Sequence, residues 1–532
     1  MGKKLLCLIM AICCVLSFTA CNSGNIAMDS SAKTETAISG GFVAETADYV
    51  YFINGIENYA TAYKNGEVTK ASLMRTKKAN LTNLSEATYE TVVSKLIVSS
   101  DNTAGIYIYG DYVYYAVPSV EKDKTGVVKN DQLSFFRTKL NGSGTSKNIP
   151  GTDFPHSAKF RYIQSGENVY LVVYNTDLYV YDANTCKEVY TTAGEDSKIA
   201  VSEVMFSQNN NDANVYFTTI PVNEELSDDK TEQKYAHHEV YQVALSATES
   251  KATAKVVLDG IGNKVIGNDG ADAEGVDTLG VTIDLLRYVD GTLYFSYTSL
   301  TTTIASANYM AIPDTAYTAE WNNRNWIVAG KDYKISGTNK NSASIFADTS
   351  IIVDSETIIY VDATYGLLVY NYKNVADAEN SDLGVSPIYT SDTIKGATLA
   401  FVNKEGEENI LYFYDSSNNY YRVSLTKILN GEEVEEFRIN KLALNTTWYK
   451  PEVVKVGEDY CFIAIYSDIE YDSYCYVINM TALEKEYNEI TDEEEKENFY
   501  TVEEMENEEF AEFISNNLLG QRSEADINAD EE

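Results

Sequence analysis

Residues 110–117 read G-D-Y-V-Y-Y-A-V, and residues 134–140 read S-F-F-R-T-K-L. Val113, Tyr114, Tyr115, Phe135 and Phe136 supply the β-branched and aromatic side chains that suit a pleated surface, so the two runs read as strands joined by a polar loop. Nearly the same words occur earlier, as A-D-Y-V-Y-F-I at 47–53 and S-L-M-R-T-K-K at 72–78. Asp48 aligns with Asp111, Tyr49 with Tyr112, Tyr51 with Tyr114, Arg75 with Arg137 and Thr76 with Thr138. A repeat of this kind sets the architecture before any single motif does.

Followed outward, the core returns in weaker form. After Val50-Tyr51 and Val113-Tyr114 come Val169-Tyr170, Val215-Tyr216, Leu293-Tyr294, Ile359-Tyr360, Leu411-Tyr412 and Tyr460-Cys461, with cysteine in the last aromatic slot. Most copies follow Gly, Asp, Asn or Glu, as turns require. The expected partner strands are residues 72–77, 134–139, 177–181, 239–244, 333–336, 366–371, 420–425 and 474–479. Successive aromatic slots lie 63, 56, 46, 78, 66, 52 and 49 residues apart, which puts the extra length into loops. Tyr49 and Tyr51 share one face of their strand, Val50 and Phe52 the other, so both faces need cover. Stacked propeller blades supply it, whereas a sandwich leaves one face solvated and alternates more cleanly. The expected fold is therefore all-β, a β-propeller of about eight blades, or seven if the Leu293 unit is an insertion. The last blade is expected to be completed by residues 41–45.

The 532 residues include 42 Tyr, 18 Phe, 3 Trp and 7 Pro. Tyrosine suits strands whose far end meets water, where the hydroxyl finds a partner at the rim. The formal charge of −39 argues against a nucleic-acid partner, because phosphate contacts need Lys and Arg. It also disfavours attraction to anionic lipid headgroups. Two readings of the acidity stand: solubility through mutual repulsion, or recruitment of divalent cations or a basic partner.

The two ends differ from the body. Lys3 and Lys4, the apolar run 5–18 and the small pair Thr19-Ala20 have the parts of a secretory signal over residues 1–20. Phe18-Thr19-Ala20-Cys21 resembles the lipobox of bacterial lipoproteins, although that family prefers Leu where Phe18 stands. The resemblance implies cleavage before Cys21, a diacylglycerol on its sulfur, and a protein held at the outer face of the cell membrane. Two acyl chains suffice for stable anchoring, at about 0.8 kcal/mol per buried CH₂. Residues 21–46 then read as the lipidated cysteine and a flexible tether, and 47–480 as the propeller. Residues 481–532 carry 19 acids and three bases. Phe499, Val502, Met505, Phe510, Phe513, Ile514 and Leu518 give a partial helical stripe, so a short acidic α-helical tail is expected within 492–519 before a disordered end. Cys461 and Cys475 flank a hairpin and read either as a cross-strand bridge or as two buried thiols.

The repeats, with Phe135-Phe136-Arg137-Thr138 and Tyr420-Tyr421-Arg422-Val423 as their second halves, resemble the tyrosine-rich propeller lipoproteins of low-GC Gram-positive bacteria, a largely uncharacterised group. The resemblance spans roughly residues 47–480. It implies a lipid-anchored propeller and names no ligand.

Signals for chemistry are sparse. There is no G-x-S-x-G elbow and no C-x-x-C, which removes the main hydrolase and zinc signatures. His237 and His238 are neighbours and point to opposite faces of a strand, so they do not clasp one metal together. Asp269, Asp272, Glu274 and Asp277 gather oxygen ligands on a glycine-rich stretch, which reads as a Ca²⁺ loop or an ordinary acidic surface loop; no other cofactor is implied. Trp321 and Trp326 read as a sugar-stacking platform on an inserted loop or as caps on an apolar seam. The expected function is a membrane-anchored scaffold that binds an unknown protein or glycan without catalysis. The alternatives are an extracellular hydrolase of glycans or peptides using carboxylates in the propeller funnel, and an envelope assembly factor whose acidic tail docks a partner.

Overall fold

A computed structural model of the chain describes residues 41–55, 72–94, 105–118, 132–143, 147–155, 157–194, 200–208, 213–219, 232–234, 237–246, 251–260, 263–266, 272–277, 281–289, 292–299, 306–313, 319–322, 325–328, 331–333, 350–354, 357–371, 386–442, 444, 450–467, 473–500 and 516–521. The fold is all-β and of the propeller class. Its unit is a four-stranded antiparallel meander, seen as a complete sheet six times among the described residues. A further meander, Val201–Gln208, Ala213–Thr219, Glu239–Leu245 and Ala254–Asp259, begins a seven-stranded sheet.

In each unit the aromatic core is the second strand: Tyr49–Asn54, Tyr112–Pro118, Asn168–Tyr174, Ala213–Thr219, Thr292–Ser299, Thr357–Asp362, Glu408–Tyr414 and Asp459–Ser467. The repeated Tyr and Arg are direct cross-strand partners, Tyr51 with Arg75, Tyr114 with Arg137 and Tyr412 with Arg422. The hairpins into the second strand reuse one turn. Gly110, Gly406 and Gly457 hold φ of 59°, 65° and 61°, a region that costs an L side chain energy, and each is followed by an acid.

The unit at Leu293 departs from expectation. Thr292–Ser299 pairs with Val281–Val289 and Ser306–Pro313 in a three-stranded sheet, and not with residues near 333. Lys331–Tyr333 instead ends the seven-stranded sheet.

By contacts the chain divides into two units. One comprises residues 1–173, 180–188 and 439–532, the other 174–179 and 189–438. In the first unit, the sheet begun by Val43–Glu45 shares one hydrophobic core with residues of the second sheet (Ile106, Ile108, Val113, Tyr115) and of the last (Val454, Cys461, Ile463, Cys475, Val477). A strand such as Tyr49–Asn54, buried from Val50 to Asn54, is thus covered on both faces. The Arg75 guanidinium reaches the Leu140 carbonyl of the second sheet at 3.3 Å.

Tyrosine does more than reach a wet rim. Tyr109, Tyr114 and Tyr162 are fully buried. Tyr109 donates its hydroxyl to the Tyr162 carbonyl at 2.8 Å, and Tyr162 donates to the Tyr115 carbonyl at 3.2 Å. The Tyr109 and Tyr162 rings supply apolar area while their hydroxyls tie one sheet to the next, which phenylalanine cannot do. Burial raises all three hydroxyl pKa values, that of Tyr114 to about 12 despite Arg137 beside it.

Closure at the chain ends also differs from expectation. Val43–Glu45 pairs with its own successor, Val43 opposite Phe52, and so belongs to the first sheet. The last sheet takes its fourth strand from the tail: Leu518 and Leu519 pair with Tyr476 and Cys475. Helices start directly at Met480, as Met480–Glu489 and Glu493–Asn498, and not only within 492–519. Asn479 and Asp492 cap them through their side chains. Phe499 lies under the Lys441 ammonium at 3.9 Å, while Val502, Met505, Phe510, Phe513 and Ile514 lie outside the described residues. Leu518 is in a strand because its apolar side chain, like that of Leu519, completes the sheet core. Beyond it, Gln521 exchanges two hydrogen bonds with the buried Asn54 amide, at 2.8 and 2.9 Å. Cys461 and Cys475 are free thiols whose register partners are Asn479 and Ile465, so they do not face one another.

In the second unit, the seven-stranded sheet packs through Tyr216, Val240, Val257 and Leu258 onto Ile283, Leu293, Phe295 and Tyr297 of the three-stranded sheet. Two later four-stranded sheets share a core through Ile359, Leu367, Leu411 and Val423, with Ile394 and Ile428 from two short helices.

Candidate functional site

The site is built by strand alternation at one end of the seven-stranded sheet. His237 lies two residues before Glu239, the first residue of Glu239–Leu245, so both sit on one face. Asp259, the last residue of Ala254–Asp259, is the direct cross-strand partner of Glu239 and therefore shares that face. One ligand atom from each of His237, Glu239 and Asp259 lies within 4.8 Å of the others. His237 is 7% exposed, and the two carboxylates are half-buried. Tyr241, two residues further on, donates its hydroxyl to Glu239 Oε2 at 2.7 Å. Burial and the neighbouring Glu239 and Asp259 charges push the Tyr241 hydroxyl pKa well up, so it stays a donor.

His238 faces the other way, as strand alternation dictates. Its Nδ1 lies 2.9 Å from the Ile283 amide, inside the interface with the three-stranded sheet. Glu203 accepts the Leu285 amide at 2.9 Å nearby, and burial raises its pKa while His238 lowers it. His238 is thus structural and His237 faces the carboxylates. His156 lies outside the described residues.

The Trp321/Trp326 segment belongs to the same sheet. Ala319–Asn322 runs parallel to Ala254–Asp259, with Glu320 opposite Asp259. It pairs in turn with Asn325–Val328, and Trp321 is the direct partner of Trp326. The backbone therefore sets a tryptophan pair one residue beyond the partner of Asp259. The expected inserted loop is a hairpin added to the outer edge of the fourth strand.

Of the expected Ca²⁺ ligands, Asp272, Glu274 and Asp277 lie on the strand Asp272–Asp277, which pairs with Asn263–Ile266, and not on a loop. Backbone pairing with Lys264 and Ile266 organises that segment. Asp269 and Cys21 lie outside the described residues.

A second carboxylate stands out in the first unit. Glu452, at the start of Glu452–Val456, has its pKa raised to about 7 by burial, with Lys450 lowering it and the charge of Glu45 raising it. Glu45 itself is ion-paired with Lys78.

The His237 cluster has a sequence signal. H-x-E-x-Y at 237–241 alternates on one strand face, and the acid at 259 closes the next strand. Reading the histidines as a pair obscured the i, i+2, i+4 pattern.

No family model matches the chain, and no curated protein does. Solved structures similar to it include the polysaccharide lyase Uly1, at TM-score 0.36 and 9% identity, covering 87% of this chain and 95% of that one. BamB from Moraxella catarrhalis matches at TM-score 0.33 and 8% identity over 85% of this chain and 100% of that one. AztD from Citrobacter koseri matches at TM-score 0.30 and 9% identity, over 82% and 92%. At these scores none of them carries an argument about ligand or chemistry.

Proposed function

We propose that the chain is a lipid-anchored, extracytoplasmic scaffold whose propeller binds its ligand through the seven-stranded sheet. The reading rests on one observation: the sheet that breaks the repeat holds His237, Glu239 and Asp259 together, and its added hairpin pairs Trp321 with Trp326 one register position past Glu320, the partner of Asp259. Tryptophan is a residue type on which sugar rings stack, and carboxylates accept hydroxyl hydrogens, so a glycan fits this chemistry better than a protein does. The anchor is Cys21, as the lipobox resemblance implies.

Full-length protein in detergent should bind cell-wall or surface polysaccharide in a pull-down, and Trp321→Ala with Trp326→Ala should weaken that binding at least tenfold. Binding that survives the double substitution, or capture of a protein in its place, would overturn the glycan assignment. Cys21→Ala should stop lipid labelling and move the protein out of the membrane fraction; continued labelling would refute the anchor.

A hydrolase is the second reading, because Glu239 and Asp259 come within 4.8 Å, near the roughly 5 Å carboxylate spacing of retaining glycosidases. Turnover of a polysaccharide, lost in Glu239→Gln, would establish it. Absence of turnover across a broad substrate panel would leave the scaffold reading in place.

A further inference from the structure

We propose that His237, Glu239 and Asp259 form a binding site for a single divalent transition ion of the zinc class, with Tyr241 orienting Glu239. Three arguments carry it. The donor set is one imidazole nitrogen and two carboxylates; imidazole selects zinc-like ions over the hard, oxygen-seeking Ca²⁺. The three groups sit on one face of two paired strands, so the backbone holds them together. The Tyr241 hydroxyl bonded to Glu239 is the outer support that metal-bound carboxylates need, fixing the rotamer while leaving the other oxygen to bind.

The geometry is open by a small margin. Zinc bonds of about 2.0–2.2 Å at tetrahedral angles put ligand atoms about 3.4 Å apart. The present limit of 4.8 Å closes to that value by rotating the two half-buried carboxylates, while buried His237 stays fixed. Three protein ligands leave a fourth position for an oxygen of water or of a ligand. A ligand oxygen at that position would join the ion to the scaffold's ligand, on the sheet whose edge beyond Asp259 carries the Trp321/Trp326 hairpin. Only this last step, the ion's part in ligand capture, rests on the scaffold reading; the ion itself does not.

The test is calorimetric titration of ZnCl₂ into full-length, tag-free protein in detergent after removal of metal by a chelator. One Zn²⁺ per chain is expected, with a Kd of about 1 μM or tighter. Asp259→Asn and His237→Gln should each weaken it at least about tenfold, and Tyr241→Phe about tenfold. The pair Asp272→Asn and Glu274→Gln, on another strand, should leave it unchanged. Absence of stoichiometric uptake, uptake undiminished in Asp259→Asn, or Asp259-dependent uptake of Ca²⁺ in place of Zn²⁺ would each overturn the proposal. Should His237→Gln lose its far-ultraviolet circular dichroism signal, Asp259→Asn on its half-exposed carboxylate decides. Stoichiometric zinc without polysaccharide binding would reject the scaffold reading and leave the metal site standing.

Discussion

The first sheet and the seven-stranded sheet start from the same Val-Tyr core and end differently. Val50-Tyr51 sits in a sheet of four strands that stops at Glu90–Val93. Val215-Tyr216 sits in a meander of the same order, but its fourth strand, Ala254–Asp259, is extended by parallel pairing to Ala319–Asn322. A fourth strand is an edge with unpaired backbone groups. In the first case the edge marks the end of the unit; in the second it receives an added hairpin. The His237 cluster lies at the end of this extended sheet. Repetition builds the frame, and the sheet that departs from it is the one that carries the unlike chemistry.

That contrast is tested most severely at the tail. If the first unit is a frame in which every strand counts, deleting residues 518–532 should cost about 5–8 kcal/mol. Two buried leucines contribute about 1.5–3 kcal/mol each and the two Asn54 hydrogen bonds about 1 kcal/mol each. Urea unfolding monitored by circular dichroism should show the midpoint fall. An unchanged midpoint would mean that the tail is an appendage, as a pure partner-docking role requires. Gly520→Ala probes the same latch with one atom. Gly520 has φ +115°, and an added Cβ would lie 2.0 Å from Asn54 Oδ1. The expected loss is about 2–4 kcal/mol, read in the same experiment.

Glu452 tests the frame through pH. Its folded pKa of about 7 is above the ordinary 4.5, so between those values the folded state holds a proton that the unfolded state has released. Stability therefore falls as pH rises from about 4.5 to about 7, by about 1–3 kcal/mol. Glu452→Gln removes this titration. The drop in urea-unfolding stability between pH 5 and pH 8 should shrink by that amount relative to the unsubstituted chain. An equal drop in both would show that Glu452 is solvated.

The frame was legible in the sequence because its signal is repeated. Tyr51, Tyr114 and Tyr412 each recur with an Arg, and the register makes each pair opposite. The ends were not legible. Leu518 lies on a helical stripe by spacing, and only the open edge of Tyr474–Tyr476 decides that it pairs as a strand. The partner of Thr292–Ser299 was misplaced because residues 306–313 carry neither the Arg nor the Tyr-Tyr of other copies. The cluster was half legible: alternation separated His237 from His238, but linking Glu239 to Asp259 needs a register that no local pattern states.

The smallest expected effect bears on the other half of the contrast. If the seven-stranded sheet holds its cluster for ligands and not for stability, Asp259→Asn should change the unfolding free energy of chelator-treated protein by less than about 1 kcal/mol. The carboxylate is half-exposed and its cross-strand neighbour Glu239 carries the same charge, so neutralising it removes repulsion as well as polar contacts. With excess Zn²⁺ the two proteins should diverge, because an ion bound only to the folded state at 100 times its Kd adds about 2.7 kcal/mol. A large loss already present in chelator would place Asp259 in the frame, like Leu519. A gap that opens only with the ion would place it among the residues held for binding.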